Sequence, residues 1–452
     1  MMLKLKLFIQ STFIYTIYLF FVRNYRKLKR RIKKSFRKHT DKYYRWYIFK
    51  YLYPKIYKKY SKKPVDENKV VFVEIRLPKL TNSLQLMYDT LYMNYDFDIH
   101  CHFLRNTFAS RKEYRQRCKA FVKDIADAKY VFMDEATNIM GNFETRPETV
   151  ITQLWHGCGA FKKFGFSTAD AIFGATREQM EKYPFNKNYT HVTVSSPEVI
   201  WAYEEAMRYT HESGVVKALG SSRTDIFYDE KFIKQSYDAL YEIMPQAKGK
   251  KVILYAPTFR GRVANAKAPN VLNNEFMQYE LGDEYVLLIK QHPLVRKRPA
   301  VKEYCADFAM DVTETMSIEQ LLCVSDICIS DYSSLVFEYS LFEKPMIFLA
   351  HDLDKFFDWR GFYYDYYELT PGPIVKNTSE VIDYIKHIDE RFDKKEVQAF
   401  RKKFMSACDG HATERIIDTV LGEEAKEVHK RETPLPKEDY HLIPSADDFY
   451  NK

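Results

Sequence analysis

Short apolar runs alternate with helix-length intervals along most of this chain, and they do so in two series. The first holds Val70–Arg76, Phe97–Leu104, Tyr130–Met133 and Val150–Trp155. The second follows a hydrophilic break near Gln246–Lys250 and holds Val252–Ala256, Tyr285–Lys290, Ile327–Ser330 and Pro345–Leu349. Runs this short, spaced widely enough for crossover helices, predict parallel strands buried on both faces. Two such series predict an α/β chain of two Rossmann-like domains, with a ligand cleft at the carboxyl ends of the strands. Beyond the second series, Val381, Ile385 and Ile388 share one helical face, and helical patterning continues to about Val420. The expected division is 64–245 for the first domain, 246–420 for the second with its closing helices, and 421–452 for a polar tail. A length of 452 residues is likewise too great for one ordinary core.

Residues 1–63 differ in kind. They hold 20 Lys or Arg against one acid, Asp41, so with the chain at +9 the remaining residues carry −10. The basic character therefore belongs to one arm. Its apolar start, Leu5–Val22, is interrupted by Gln10, Ser11 and Thr12 and falls short of the roughly 20 residues a spanning helix needs. No small-residue cleavage site follows it, which disfavours a secretory signal peptide. Behind it, Tyr25, Phe36, Tyr43, Tyr44, Trp46, Tyr47 and Phe49 are interleaved with cations. Aromatics and cations together suit the headgroup layer of an anionic leaflet. The expectation is a basic amphipathic helical arm, peripherally attached to the cytoplasmic face of the cell membrane. A single span is the alternative, while nucleic acid would leave the apolar start nothing to bury against.

Neither a Gly-x-Gly-x-x-Gly nor a P-loop pattern occurs, so dinucleotide redox chemistry and P-loop hydrolysis lose their main support. The seven cysteines are scattered without zinc-ligand spacing, and we read them as reduced thiols. No cofactor is expected; no metal-ligand cluster is evident in the sequence, and Arg and Lys could supply the cations, which leaves metal dependence open.

Four strand ends carry candidate chemistry. Val150-Ile-Thr-Gln-Leu-Trp-His-Gly157 places His156 just past a strand, where it could act as a general base, and Lys162 and Lys163 follow. An ordinary loop histidine fits that segment nearly as well. Val252–Gly261 ends with Thr258 and Arg260, the latter suited to a phosphate fork or equally to a structural ion pair. Leu288–Pro293 offers Lys290 and His292, with Pro293 stopping the strand and His292 able to donate to a phosphate oxygen. Ser325–Glu338 reads as strand, hydroxyl-rich turn and helix. Ser333 and Ser334 would sit at an anion-attracting helix start, and Asp331 or Ser334 could also cap it. Arg360–Pro373 packs Arg, aromatics and acids before a Pro-Gly turn, as a recognition loop would. Positioning, a base and cations are what phosphoryl transfer requires.

The ordered set Trp-His-Gly at 155–157, Ala-Pro-Thr-Phe-Arg at 256–260, His-Pro at 292–293, Ser-Asp-Tyr-Ser-Ser at 330–334 and Arg360 through Pro373 resembles the CDP-glycerol glycerophosphotransferases. These are the teichoic-acid primases and polymerases of Gram-positive bacteria, and the resemblance covers roughly residues 70–420. It implies a GT-B fold, inner-face membrane attachment, and transfer of glycerol phosphate from CDP-glycerol to a lipid-linked glycan or polyol-phosphate acceptor with release of CMP. CDP-ribitol is the alternative donor, a nucleotide-sugar glycosyltransferase the alternative reaction, and a non-enzymatic scaffold the third reading. By resemblance, His156 deprotonates the acceptor and His292 holds donor phosphate. Arg260, Arg360, Thr258, Lys290, Asp331, Ser333 and Ser334 form the phosphate-binding set, and Glu338 meets the ribose. The chain departs from the family in reading Cys158-Gly159-Ala160 after Trp-His-Gly, and in lacking the proline of Gly-x-Pro-Arg-x-Asp at Gly220–Asp225.

Overall fold

The computed structural model describes residues 16–17, 19–20, 24–25, 40–105, 109–172, 174–261 and 265–422. Most of the expected membrane-lying segment, and the tail beyond Gly422, fall outside the described residues. Among those described, no helix is long and apolar enough to cross a membrane.

The strands form two six-stranded parallel sheets. In the first, the order is β2-β1-β3-β4-β5-β6, from β1 (Asp66–Glu74), β2 (Asp98–Phe103), β3 (Ala128–Met133), β4 (Val150–Gln153), β5 (His191–Thr193) and β6 (Val216–Lys217). In the second, the order is β12-β11-β10-β7-β8-β9, from β7 (Lys251–Tyr255), β8 (Tyr285–Ile289), β9 (Ala309–Asp311), β10 (Ile327–Ser330), β11 (Met346–Leu349) and β12 (Ile374–Val375). The eight longer strands coincide with the eight apolar runs. The four short ones were not expected from sequence, because two or three residues at or near a sheet edge carry no readable period.

Each sheet reverses its winding once, between β1 and β3 and between β7 and β10. Ligands bind in the crevice that such a reversal opens. The two domains turn these carboxyl-end crevices toward each other.

Residues 40–60 and the helix Ala412–Leu421 cross the expected boundaries. Helical residues from Thr40 to Tyr60 dock onto the first domain, burying Ile48, Tyr53 and Tyr57. Tyr57 stacks on Phe143 with ring centroids 4.6 Å apart, and its hydroxyl accepts from the Arg146 backbone N–H at 2.9 Å. At the other end, the helix Ala412–Leu421 packs Ile416, Ile417 and Val420 with Val70 and Phe72 of β1. The Asp225 carboxylate accepts from the Ala412 and Thr413 N–H groups at its start, at 3.1 and 2.7 Å. This helix thus closes the first domain and not the second.

Candidate active site

The facing crevices enclose a cleft of about 840 Å³. On the first-domain side, β4 ends in a sharp turn at Trp155, whose φ of +58° lies in the left-handed region that a bulky side chain normally avoids. Its N–H donates to the Gln153 side chain at 3.0 Å, and its ring stacks on His156 with centroids 4.6 Å apart. His156 lines the cleft, with Nδ1 3.2 Å from the Asp134 backbone oxygen and 3.4 Å from Glu135 Oε1. A carbonyl oxygen only accepts, so Nδ1 carries the proton and Nε2 is the basic nitrogen. Gly159, at φ +63°, lets the loop meet the second domain: a Cβ there would lie 2.4 Å from the Phe337 ring.

Two carboxyls sit behind this wall. Glu74, at the end of β1, is fully buried. Its Oε1 accepts from the Arg76 and Leu77 N–H groups at 2.7 and 2.9 Å. Burial, with Asp134 nearby, pushes its pKa up to about 8, and burial pushes Asp134 up to about 6. The Thr81 hydroxyl donates to Asp134. It therefore does not cap the helix Asn82–Asn94 that it precedes.

On the second-domain side, His292 follows β8 and packs edge-on against Phe259, centroids 4.8 Å apart. Its Nδ1 accepts from the Leu294 N–H at 3.1 Å, which leaves the proton on Nε2. The residue is exposed on the cleft, where crowding by nearby protein atoms desolvates the ring. That desolvation, then repulsion from Lys162 and Arg76, pushes its pKa down to about 4, so the ring is a neutral donor. Ser333 and Ser334 line the same cleft. Ser334 precedes the helix Leu335–Tyr339 without a side-chain cap, and its Oγ would lie 3.5 Å from a Cβ built on Gly157. The Thr258 hydroxyl oxygen is buried with no protein partner.

Four residues of the expected ligand-binding set also pair with protein groups, and three of them, Arg260, Lys290 and Glu338, line the cleft. The Arg260 guanidinium forks onto Asp352 at 2.7 and 2.9 Å and pairs with Asp331 at 2.9 Å, over the rings of Tyr332 and Phe356. Burial works against its charge, but these two carboxylates hold its pKa above the ordinary value. Asp331 also accepts from the Thr258 and Tyr332 N–H groups at 2.8 and 2.6 Å, so it orders the loops and does not face phosphate. Lys290 donates to the backbone oxygens of Thr313 and Met316, and burial pushes its pKa down to about 8. Glu338 is buried in the cleft wall and pairs with Arg223 at 2.9 Å. Arg360 ends the helix Leu353–Arg360, and its side chain lies outside the described ones.

Arg223 itself was missed. From the loop after β6 it pairs with Glu319 and Glu338 of the second domain, both at 2.9 Å, and donates to the His156 backbone oxygen at 2.6 Å. The signal was the Gly220–Asp225 segment, noted only for lacking a proline. Asp134 and Glu135 were missed as well, although they directly follow a predicted strand.

A family model described as CDP-glycerol:poly(glycerophosphate) glycerophosphotransferase matches residues 55–422. The chain is 36% identical over 366 residues to the teichoic acid poly(ribitol-phosphate) polymerase of Bacillus spizizenii, covering 79% of this chain but only 57% of that polymerase. It is 32% identical over 362 residues to the teichoic acid ribitol-phosphate primase of the same species, covering 79% of this chain and 92% of the primase. It is 28% identical over 298 residues to the teichoic acid glycerol-phosphate primase of Bacillus subtilis, covering 65% and 74%. The fold matches that of the wall teichoic acid polymerase TagF, with a TM-score of 0.64 at 21% identity over 86% of this chain and 96% of that one.

Proposed function

The chain belongs to the CDP-glycerol:poly(glycerophosphate) glycerophosphotransferase family, and from that premise we propose that it moves a polyol phosphate from a CDP-activated donor onto a lipid-linked acceptor, releasing CMP. The observation that carries this reading is the pairing, in one interdomain cleft, of a basic imidazole after β4 with a neutral donor imidazole after β8.

In this mechanism Nε2 of His156 takes the proton of the acceptor hydroxyl. The oxygen attacks the phosphorus that bears the polyol, the bond from that phosphorus to the oxygen of the α-phosphate breaks, and CMP leaves. The proton passes from the imidazolium to solvent. Nε2–H of His292 and the Thr258, Ser333 and Ser334 hydroxyls stabilise charge on the phosphate oxygens, as preorganised donors do.

The family's name supports glycerol as the polyol. The relatives named for ribitol phosphate support ribitol, being more identical to this chain than the glycerol-phosphate primase. The basic arm supports attachment to an anionic leaflet at the cytoplasmic face, where a lipid-linked acceptor would be presented.

The test is CMP release from CDP-glycerol and, separately, CDP-ribitol, with lipid-linked acceptors of increasing length. Acceptor-dependent CMP from one donor establishes the reaction and the polyol. No CMP from either, with UDP protecting the protein better than CDP, would replace this reading with a nucleotide-sugar one.

A further inference from the structure

Glu135 lies in the cleft wall one residue past the carbonyl that receives the His156 Nδ1 proton, with Oε1 3.4 Å from that nitrogen. Neither the sequence motifs nor the family resemblance marks it. Its side chain is largely buried, at 14% exposure, and it also pairs with Arg76. Other charged or titratable groups that line the same cleft include Asp134, Arg76, Lys79 and Lys162 on the first-domain side, Arg223 on the His156 carbonyl, and Glu319, Glu338 and His292 from the second domain. Glu135 is the carboxylate whose ion-pair contact reaches Nδ1 among the described residues.

We propose that Glu135 is the positioning residue of the general base: it holds His156 in the Nδ1–H tautomer and stabilises the imidazolium formed when Nε2 takes the acceptor proton. The inference rests on His156 being the base. A ring N–H directed at a carboxylate or carbonyl fixes the tautomer and raises the basicity of the opposite nitrogen. Here the backbone carbonyl sets the direction and the carboxylate supplies the charge. The 3.4 Å separation is longer than a hydrogen bond, as catalytic contacts in ligand-free sites often are. Arg76 shares the carboxylate, so a substrate phosphate that draws Arg76 away would leave Glu135 to the imidazolium.

The test uses the full chain, CMP release and pH–rate profiles. Glu135→Gln keeps the shape and removes the charge. It should lower kcat by about 10- to 100-fold, less than the roughly 10²–10⁴-fold that the general base itself supplies, while donor KM moves less than threefold. The acid limb of kcat/KM should shift to lower pH, because the imidazole loses the anion that raises its pKa. Glu135→Asp should recover part of both effects. Arg76→Ala should move the acid limb, if anywhere, to higher pH, since it removes a cation and frees Glu135 for His156. CDP-dependent thermal protection confirms that each variant is folded. Wild-type kcat with an unmoved acid limb in Glu135→Gln would overturn the proposal, as would the same limb shift in Arg76→Ala. His156→Ala separates the two readings. If that variant turns over normally, the base assignment itself falls. If it is inactive while Glu135→Gln behaves as wild type, only the role of Glu135 falls.

Discussion

Glu74 and Asp134 end adjacent strands with two carboxyls too buried to ionise freely side by side. Glu74 has its pKa raised in the fold, from an ordinary 4.5 to about 8. The folded protein therefore binds more protons than the unfolded chain between those values, and stability falls as pH rises through that window. Glu74→Gln removes this dependence, and its new N–H can donate to the Asp134 oxygen that lacks a partner. The melting temperature of the variant relative to wild type should accordingly improve from pH 5 to pH 8. At the cleft itself, His156→Ala should abolish turnover with CDP affinity unchanged within a few-fold, read by CMP release and by isothermal titration. His292→Ala should instead raise donor KM together with the loss of kcat, since that ring is a donor to phosphate and not a base.

At the scale of elements, the domain interface is a charge contact as much as an apolar one. The loop after β6 places Arg223 against the helices Ile318–Val324 and Leu335–Tyr339, each contributing one buried glutamate. Burial pushes the Glu338 pKa up, and Arg223 pulls it back. Removing the cation leaves two carboxylates facing each other without it, so Arg223→Ala should cost about 3–5 kcal/mol by chemical denaturation. Adding Glu338→Gln should return part of that loss. The loop holding Gly159 meets the same helix from the other side. Gly159→Ala should destabilise by about 1–3 kcal/mol, because the left-handed backbone and the Phe337 ring both oppose a Cβ.

For the whole molecule, the first domain is completed by residues 40–60 and by the helix Ala412–Leu421. A truncation meant to test membrane attachment must respect that. Deleting residues 1–39 should preserve the melting temperature and release the protein from anionic vesicles in a sedimentation assay. Deleting residues 1–63 should also destabilise it by about 5 kcal/mol, since Ile48, Tyr53 and Tyr57 are each almost fully buried and each contributes about 1.5–3 kcal/mol. Unchanged vesicle binding by the shorter truncation would place the membrane contact elsewhere.

Two parallel α/β domains, the strand-end positions of His156 and His292, and the glycine-flanked turn beside the first were determined by the sequence itself. Buried parallel strands must be nearly continuous apolar runs, and the groups that follow them must face the crevice at their carboxyl ends. The sequence could not decide which charged strand-end residues face ligand and which face one another. Arg260, Lys290, Asp331 and Glu338 look alike in sequence whether free or paired. Their partners Asp352, Thr313, Thr258 and Arg223 lie 23 to 115 residues away, and only packing brings them within bonding distance. The fate of the chain ends was tertiary for the same reason: a helix with one apolar face records that it will be buried, and the domain whose open face it fits decides where.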